Sequence, residues 1–257
     1  MNAILTAGGI TQPNEPLYPL SGGGFKAMLD IHGRPMIQYV LDALNGSAGI
    51  ERILMVGLPP DNLLDSAKPL ISLPDGGDMV ANILAGAREI AGLDPGAVRA
   101  LIVSSDIPAI TPAMVDWVIA RVEESDDEIY YHVIERSVME ARYPGSRRTY
   151  VHLKEMEVCG GDLNAIRLSL AAEDNPLWDQ LIEARKSPLR QAALIGYDTL
   201  FLLLLRRLSL PEAEKAVSKR LKIRARAIPC PYAELGMDVD KPFQLEIMRA
   251  DLAPKHG

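Results

Sequence analysis

Two carboxylates stand two residues apart in the run Gly236-Met237-Asp238-Val239-Asp240-Lys241-Pro242. In an extended segment such residues point the same way. The pair therefore reads as a hard-cation site, since Mg²⁺ takes oxygen ligands and commonly one or two carboxylates together with phosphates. A helix N-cap formed by Asp240 is the competing reading. A further acid, Asp106, ends the apolar run Ala100-Leu101-Ile102-Val103-Ser104-Ser105 and precedes Ile107-Pro108. An acid at the carboxyl end of a buried parallel strand lies where such folds bind ligands; a cap on the following turn is the alternative. Near the N-terminus, Ala3-Ile4-Leu5-Thr6-Ala7 breaks into Gly8-Gly9. Glycines let backbone N–H groups approach a ligand that a Cβ would exclude. Lys26, the first Lys or Arg of the chain, follows Gly22-Gly23-Gly24. Loop amides and a cation together suit a nucleoside triphosphate.

Alternating strand-like and helix-like runs must hold these groups in place. Ala3–Leu5, Arg52–Gly57 and Ala100–Asp106 read as buried strands. Pro35–Leu44 is helical, with Met36, Tyr39, Val40 and Ala43 on one face. Asp78–Ala91 is also helical, and a third helix starts at Thr111-Pro112, with Thr111 at the N-cap and Pro112 in the first turn. Repeated β-then-α units predict an α/β fold with a mostly parallel sheet covered on both faces. After residue 125 the rhythm changes. Ile129–Ile134 and Thr149–Lys154 read as strands, Gly160-Gly161 as a turn, Lys222–Ile228 as a late strand and Phe243–Ala250 as a closing helix. The economical reading is one domain over residues 1–257, with a helical embellishment at about 176–220.

The 257 residues are 48% hydrophobic and 24% charged, which fits a globular enzyme. A net charge of −7 argues against nonspecific nucleic-acid binding. Cys159 and Cys230 are far apart and in no CxxC spacing, which argues against a zinc site or a disulfide framework and fits a reducing cytosol. Met1-Asn2-Ala3 lacks the basic start of a signal peptide, so a cytoplasmic location is expected. The run Phe201-Leu202-Leu203-Leu204-Leu205 is too short to span a bilayer, which needs about 20 apolar residues. It reads as a buried helix or a subunit contact, leaving a homodimer open, with surface contact to a membrane as the alternative.

The opening strand and glycine loop, followed by Lys26 and Leu29-Asp30-Ile31-His32-Gly33-Arg34-Pro35-Met36-Ile37, resemble the nucleotidyltransferase superfamily of the molybdenum-cofactor guanylyl- and cytidylyltransferases and the sugar-phosphate nucleotidyltransferases. Members share a Leu-x-Ala-Gly-Gly-like loop and a Lys-x-x-Leu-x-x-x-Gly-x-Pro segment. The resemblance is strongest over residues 3–41. It departs at one point: the family loop usually carries an Arg after its glycines, and residues 1–25 here hold no Lys or Arg. The resemblance implies a three-layer, Rossmann-like fold of the nucleotide-diphospho-sugar transferase (GT-A) type. It implies Mg²⁺ on Asp106 and Asp240, with Asp238 the weaker match. It places Leu5, Ala7, Gly8, Gly9, Lys26, Asn82, Asp106 and Gly161 around the nucleotide, and Lys26, Asp106 and Asp240 in catalysis. Asp75-Gly76-Gly77-Asp78 with Asn82 resembles the segment that meets base and ribose. Cys159-Gly160-Gly161-Asp162 resembles the loop lining the acceptor pocket, with a plain hairpin turn as the alternative. Arg34 matches a position that is commonly Lys or Arg in the family, with a solvated helix-start residue as the alternative, and Arg147-Arg148 with His152 and Lys154 either binds an acceptor phosphate or forms a solvated strand face.

The expected activity is transfer of a nucleoside monophosphate from a nucleoside triphosphate to a phosphorylated small-molecule acceptor, with release of pyrophosphate. A nucleotide-sugar-dependent glycosyltransferase and a non-catalytic nucleotide-binding protein are the rival readings.

Overall fold

A computed structural model describes residues 1–60, 64–171, 178 and 202–254. The first half builds four parallel strands. β1 (Asn2–Thr6) lies between β4 (Arg52–Val56) and β6 (Arg99–Ser104), with Leu5 opposite Met55 on one side and Val103 on the other. β5 (Leu70–Leu73) adds a parallel edge to β4. These strands are nearly continuous apolar runs because helices cover both faces. One face packs under α2 (Met36–Gly46) and α4 (Pro112–Glu123), and the other under α3 (Met79–Leu93). Gly86 lets α3 settle onto β1, since a Cβ there would lie 2.7 Å from Ile4 Cγ2. Thr111 takes the N-cap position of α4, but its hydroxyl makes no capping bond.

Between β1 and α2 the chain forms a helical turn, α1 (Tyr18–Ser21), and a small hairpin, β2 (Asp30–Ile31) with β3 (Arg34–Pro35). The hairpin turns on His32 and Gly33, with φ of 53° and 79°. Two positive φ values suit the twist of a two-residue hairpin.

In the second half the sheet continues from β6 through β10 (Leu163–Arg167), β7 (Ile129–Glu135), β9 (Glu157–Gly160) and β8 (Val151–His152), and β11 (Ala225–Pro229) also pairs with β7 in parallel. β9 and β10 both run antiparallel to β7. Gly160-Gly161 is therefore not a hairpin turn. The chain keeps its direction there and only shifts register, with the Gly161 N–H donating to the His132 carbonyl at 2.8 Å. The strand expected over Thr149–Lys154 contracts to β8 (Val151–His152). Tyr150 is drawn away by α5 (Arg136–Arg142): its hydroxyl meets Glu140 at 3.0 Å, and the Arg136 guanidinium lies 5.3 Å from its ring centre. Leu153 closes a tight turn by donating to the Met156 carbonyl.

The helical embellishment at about 176–220 falls largely outside the described residues. Its end is α6 (Leu210–Leu221), which opens with a reciprocal Ser209–Glu212 capping box. The chain then passes through β11 to α7 (Pro242–Asp251). Both cysteines are free and buried. Among the described residues no helix is long and apolar enough to cross a membrane.

Candidate active site

The carboxyl ends of β1 and β6 carry the Gly8-Gly9 loop and Asp106 to one edge of the sheet. Lys26 is tied to that loop by its own backbone, its N–H donating to the Gly9 carbonyl at 2.8 Å. The C-terminal run arrives by a matching tether, the Val239 N–H donating to the Asp106 carbonyl at 3.0 Å. These links bring three residues from distant parts of the sequence together. The Lys26 ammonium donates to Asp106 Oδ2 at 2.6 Å and also to Asp240 Oδ1. Burial alone would lower the Lys26 pKa, but the charges of Asp106 and Asp240 outweigh it and raise the value. Lys26 is thus a fixed cation. Ser104 Oγ donates to the other Asp106 oxygen at 2.5 Å, completing its orientation. Asp240 is not the N-cap of α7; Lys241 takes that place, while the Asp240 N–H bonds Gln244 Oε1.

Asp238 takes a different partner. It forms an ion pair with Arg148, and both side chains are largely buried. Arg148 also neighbours Asp162, which sits where β9 passes into β10. The Asp162 backbone is clamped on both sides: its N–H donates to Leu235 O at 2.7 Å and its carbonyl accepts from Ser104 N–H at 2.9 Å. Burial first, then the neighbouring Asp106, pushes the Asp162 carboxyl up to about 7. Its Oδ2 is buried without a hydrogen-bond partner among the described residues.

That strain has a measurable consequence. Between 3.8, the ordinary value, and about 7, the folded protein keeps a proton that the unfolded chain has lost. Stability therefore falls as pH rises through this window. Asp162→Asn removes the loss. In metal-free buffer the variant is expected to melt several degrees above the parent at pH 8, at roughly 2–4 °C per kcal/mol, and to converge with it near pH 4. An equal difference at both pH values would show that Asp162 carries no shifted proton.

The glycines divide their labour. Gly8 is a packing glycine: a Cβ would lie 2.9 Å from Asp75 Oδ1 and 3.2 Å from Gly57 Cα. Gly57, at φ +97°, answers it from the loop after β4. Gly9 faces open space. Among the described residues, neither amide N–H meets a protein acceptor. A cleft of about 280 Å³ opens here, lined by Thr6, Gly8, Gly9, Lys26, Asn82 and Asp106 among others. A neighbouring cleft of about 360 Å³ shares Gly9 and Lys26 and adds Thr11, Glu15, Asp240 and Lys241.

Several expected residues are placed otherwise. Leu5 and Ala7 line neither cleft. Both are buried against the α2/α4 face, and the Ala7 N–H is spent on the Val56 carbonyl. Thr6, between them, projects to the α3 side and lines the cleft instead, as strand alternation requires. Gly161 also lines neither cleft; it packs against β7, where a Cβ would lie 3.1 Å from Ile134 Cδ1. Asn82 lines the cleft but also has a local duty. Its Oδ1 accepts from Gly76 N–H at 2.6 Å and its Nδ2 donates to Asp75 Oδ1 at 2.8 Å, so it holds the 75–78 loop at the head of α3. Arg34 turns to α2, bonding Asp42 at 2.6 Å and lying over Tyr39. Of the basic group, only Arg148 reaches the acids: Arg147 lies over Phe243, His152 pairs with Glu157, and Lys154 is 3.8 Å from Glu155. Sequence reasoning set Asp162 in an acceptor-pocket loop and Arg148 in a basic group, but placed neither beside the acids that face Lys26. The Gly-Gly-Asp run was the available signal for Asp162.

Among the described residues, no group of three or more His, Cys, Asp or Glu side chains closes into a ready-made metal cage. The donors present nevertheless fit Mg²⁺. Asp106 and Asp240 converge on one cation, the Lys26 ammonium, and Asp162 brings a buried oxygen with no hydrogen-bond partner among the described residues. A hard cation with phosphate ligands needs no more protein carboxylates than this.

The family model described as "MobA-like NTP transferase domain" matches residues 20–219. The chain belongs to this family. The matched span holds Lys26, Asp106 and Asp162, while Gly8, Gly9 and Asp240 lie outside it and join the site through the fold. A solved structure described as a hypothetical transferase from Thermus thermophilus is 35% identical, covering 95% of this chain and 98% of that one with a TM-score of 0.82. The fold is also that of CMP:2-keto-3-deoxy-manno-octonic acid synthetase complexed with CTP, at 15% identity, 98% coverage of both chains and a TM-score of 0.55. It is shared by 4-diphosphocytidyl-2C-methyl-D-erythritol synthase from Anaerococcus prevotii, at 11% identity, coverage of 98% of this chain and 95% of that one, and a TM-score of 0.57. No curated protein matches the chain. A large, mostly parallel sheet in a nucleotide-sugar-transferase-like Rossmann fold and nucleotidyltransferase-type function follow for the MobA-like chain.

Proposed function

We propose that the protein transfers a nucleoside monophosphate from a nucleoside triphosphate to a phosphorylated small molecule and releases pyrophosphate. The observation that carries this reading is the Lys26 ammonium set between Asp106 and Asp240, at the junction of two clefts floored by free glycine-loop amides. Asp106 and Asp240 would hold Mg²⁺, which neutralises phosphate charge when bound. Gly9 and its loop amides suit the triphosphate oxygens. Lys26 is rigid enough to stabilise the charge that develops as the bond to the leaving pyrophosphate breaks. Lys241, lining the cleft beside Gly9 and Asp240, supplies a second cation in a chain whose first 25 residues have none. An oxygen of the acceptor phosphate attacks the α-phosphorus, and the bond to the bridging oxygen of the leaving pyrophosphate breaks. The acceptor is already anionic, so no general base is required. Positioning and charge neutralisation carry the catalysis, as in phosphoryl transfer generally.

A thermal-shift panel of the four nucleoside triphosphates with Mg²⁺ tests the nucleotide half of the proposal. The preferred triphosphate at 100 times its Kd is expected to stabilise the protein by about 2.7 kcal/mol, read as a rise in Tm of about 5–10 °C. Pyrophosphate release on adding a phosphorylated acceptor then tests the reaction. No shift with any triphosphate would remove the reading.

A further inference from the structure

On the α6 side of the second half of the sheet lies a cavity of about 410 Å³, within the range of small-molecule sites. Its floor is the face of β7, β8, β9 and β11 that carries Tyr131, Val133, Val151 and Val158, and its roof is α6. The α6 residues that face it, Leu210, Ala213, Val217 and Leu221, fall at helical spacing along one stripe. Yet α6 buries none of its residues. Among the described residues the stripe is covered only at its ends, Leu210 packing on Val133, Leu153 and Val158 and Leu221 on the core under α3, with the cavity between them. Its wall is apolar, and the Glu214 carboxylate is already engaged by the Ala227 N–H at 2.6 Å.

One end of this cavity is lined by Gly160, two residues before Asp162. The Tyr131 hydroxyl lies directly over Gly160, where a Cβ would be 2.0 Å from it. Tyr131 feels the charges of Asp162 and Arg148. Cys159, next to Gly160 in the strand, turns its side chain to the core on the other face of the sheet, and Arg148 pairs with Asp238 two residues before Asp240. A molecule lying along the cavity would direct its polar end past Gly160 toward Asp162. At the Leu210 end of the cavity, Leu203 joins Leu210 in packing on Val133, Leu153 and Val158. The apolar surface thus runs on toward Leu204, which is 81% exposed.

We propose that this cavity holds the hydrocarbon part of the phosphorylated acceptor, so that the acceptor is an amphiphilic phosphate ester rather than a sugar phosphate. The inference rests on the nucleotidyl-transfer reading for what happens to the acceptor, but binding in the cavity is separable from it. The test compares ethyl phosphate with decyl phosphate, the latter below its micelle concentration, in equilibrium binding and in Mg²⁺-triphosphate-dependent pyrophosphate release. The full chain and Ala213→Trp are used, the tryptophan filling the cavity from α6. The parent is expected to bind decyl phosphate at least about 30-fold tighter than ethyl phosphate, since each buried CH₂ contributes. Ala213→Trp should lose most of that preference while keeping the parent's thermal shift with triphosphate. Val217→Trp serves as the second variant if Ala213→Trp melts early. Equal binding of the two esters overturns the proposal, as does a chain-length preference that survives both tryptophans. Tail-dependent binding without pyrophosphate release from either ester overturns the amphiphile as acceptor. A parent that shows no triphosphate shift overturns the nucleotidyl reading instead, while the binding comparison still decides what the cavity holds.

Discussion

Asp106→Asn is expected to lower Mg²⁺-dependent pyrophosphate release by at least about 100-fold, the scale of losing one preorganised group at a developing charge, with Tm within a few degrees of the parent. Asp240→Asn should behave alike. The fold tolerates the first change because the contact that anchors the C-terminal run uses the Asp106 backbone carbonyl, not its side chain. The Ser104 hydroxyl can still bond an amide oxygen. What is lost is half of the paired anionic charge facing Lys26. Asp238→Asn provides the contrast. Its partner Arg148 is 15% exposed and Asp238 itself 13%. Removing one member of a buried pair costs about 3–5 kcal/mol, so this variant should lose Tm well before it loses turnover per folded molecule. Steady-state kinetics and melting curves on the three variants decide the matter. Parent-like turnover in Asp106→Asn, or a larger turnover loss in Asp238→Asn at unchanged Tm, would reverse the roles assigned to these acids.

The difference between Asp238 and Asp240 marks where the sequence stops being legible. Their spacing predicts a shared direction and a shared cation. The structure gives each its own cation, Arg148 from 90 positions earlier and Lys26 from 214 positions earlier. No local pattern encodes such pairings. Local pattern did suffice for β1, β4 and β6, because a strand buried on both faces must be a continuous apolar run. It sufficed for α2, α3 and α4 through periodicity and their starting residues. It failed for β5, a four-residue edge strand only half buried along its length, and for α5, which is held by tertiary contacts rather than by an apolar stripe of its own. Gly160-Gly161 failed differently. Two glycines read as a reversal, whereas here they allow the close approach of Tyr131 on one side and Ile134 on the other. Thr6 was masked by the glycines beside it. Asn82 lines the cleft, and its additional bonds to Gly76 and Asp75 depend on a loop geometry that sequence alone does not specify.

Lys26→Met is expected to move two affinities in opposite directions. In the absence of nucleotide, Lys26 occupies the place between Asp106 and Asp240 that the proposed Mg²⁺ would take. Removing the ammonium leaves two carboxylates facing each other, and a divalent cation then meets no competitor. Mg²⁺ alone should therefore bind about tenfold tighter or more, because a hydrogen bond to a charged group is worth about 1.5–3 kcal/mol. The same reasoning makes triphosphate binding about tenfold weaker or worse, since Lys26 is the cation shared by both clefts and residues 1–25 offer no other. Turnover should fall with it. Lys26→Arg should recover triphosphate binding only in part, as a planar guanidinium cannot occupy the compact site between two carboxylates. Arg34→Ala is the control: Arg34 is paired with Asp42 on α2, lines neither cleft, and should leave both affinities within about twofold. Isothermal titration with Mg²⁺ and then with the triphosphate in excess Mg²⁺ separates the two effects. A drop in both affinities would mean that the variant has lost the local fold. A parent-like triphosphate affinity would mean that Lys26 is a structural latch between β6 and the C-terminal run, and the phosphate would have to be held by Lys241 and the Gly9 loop alone.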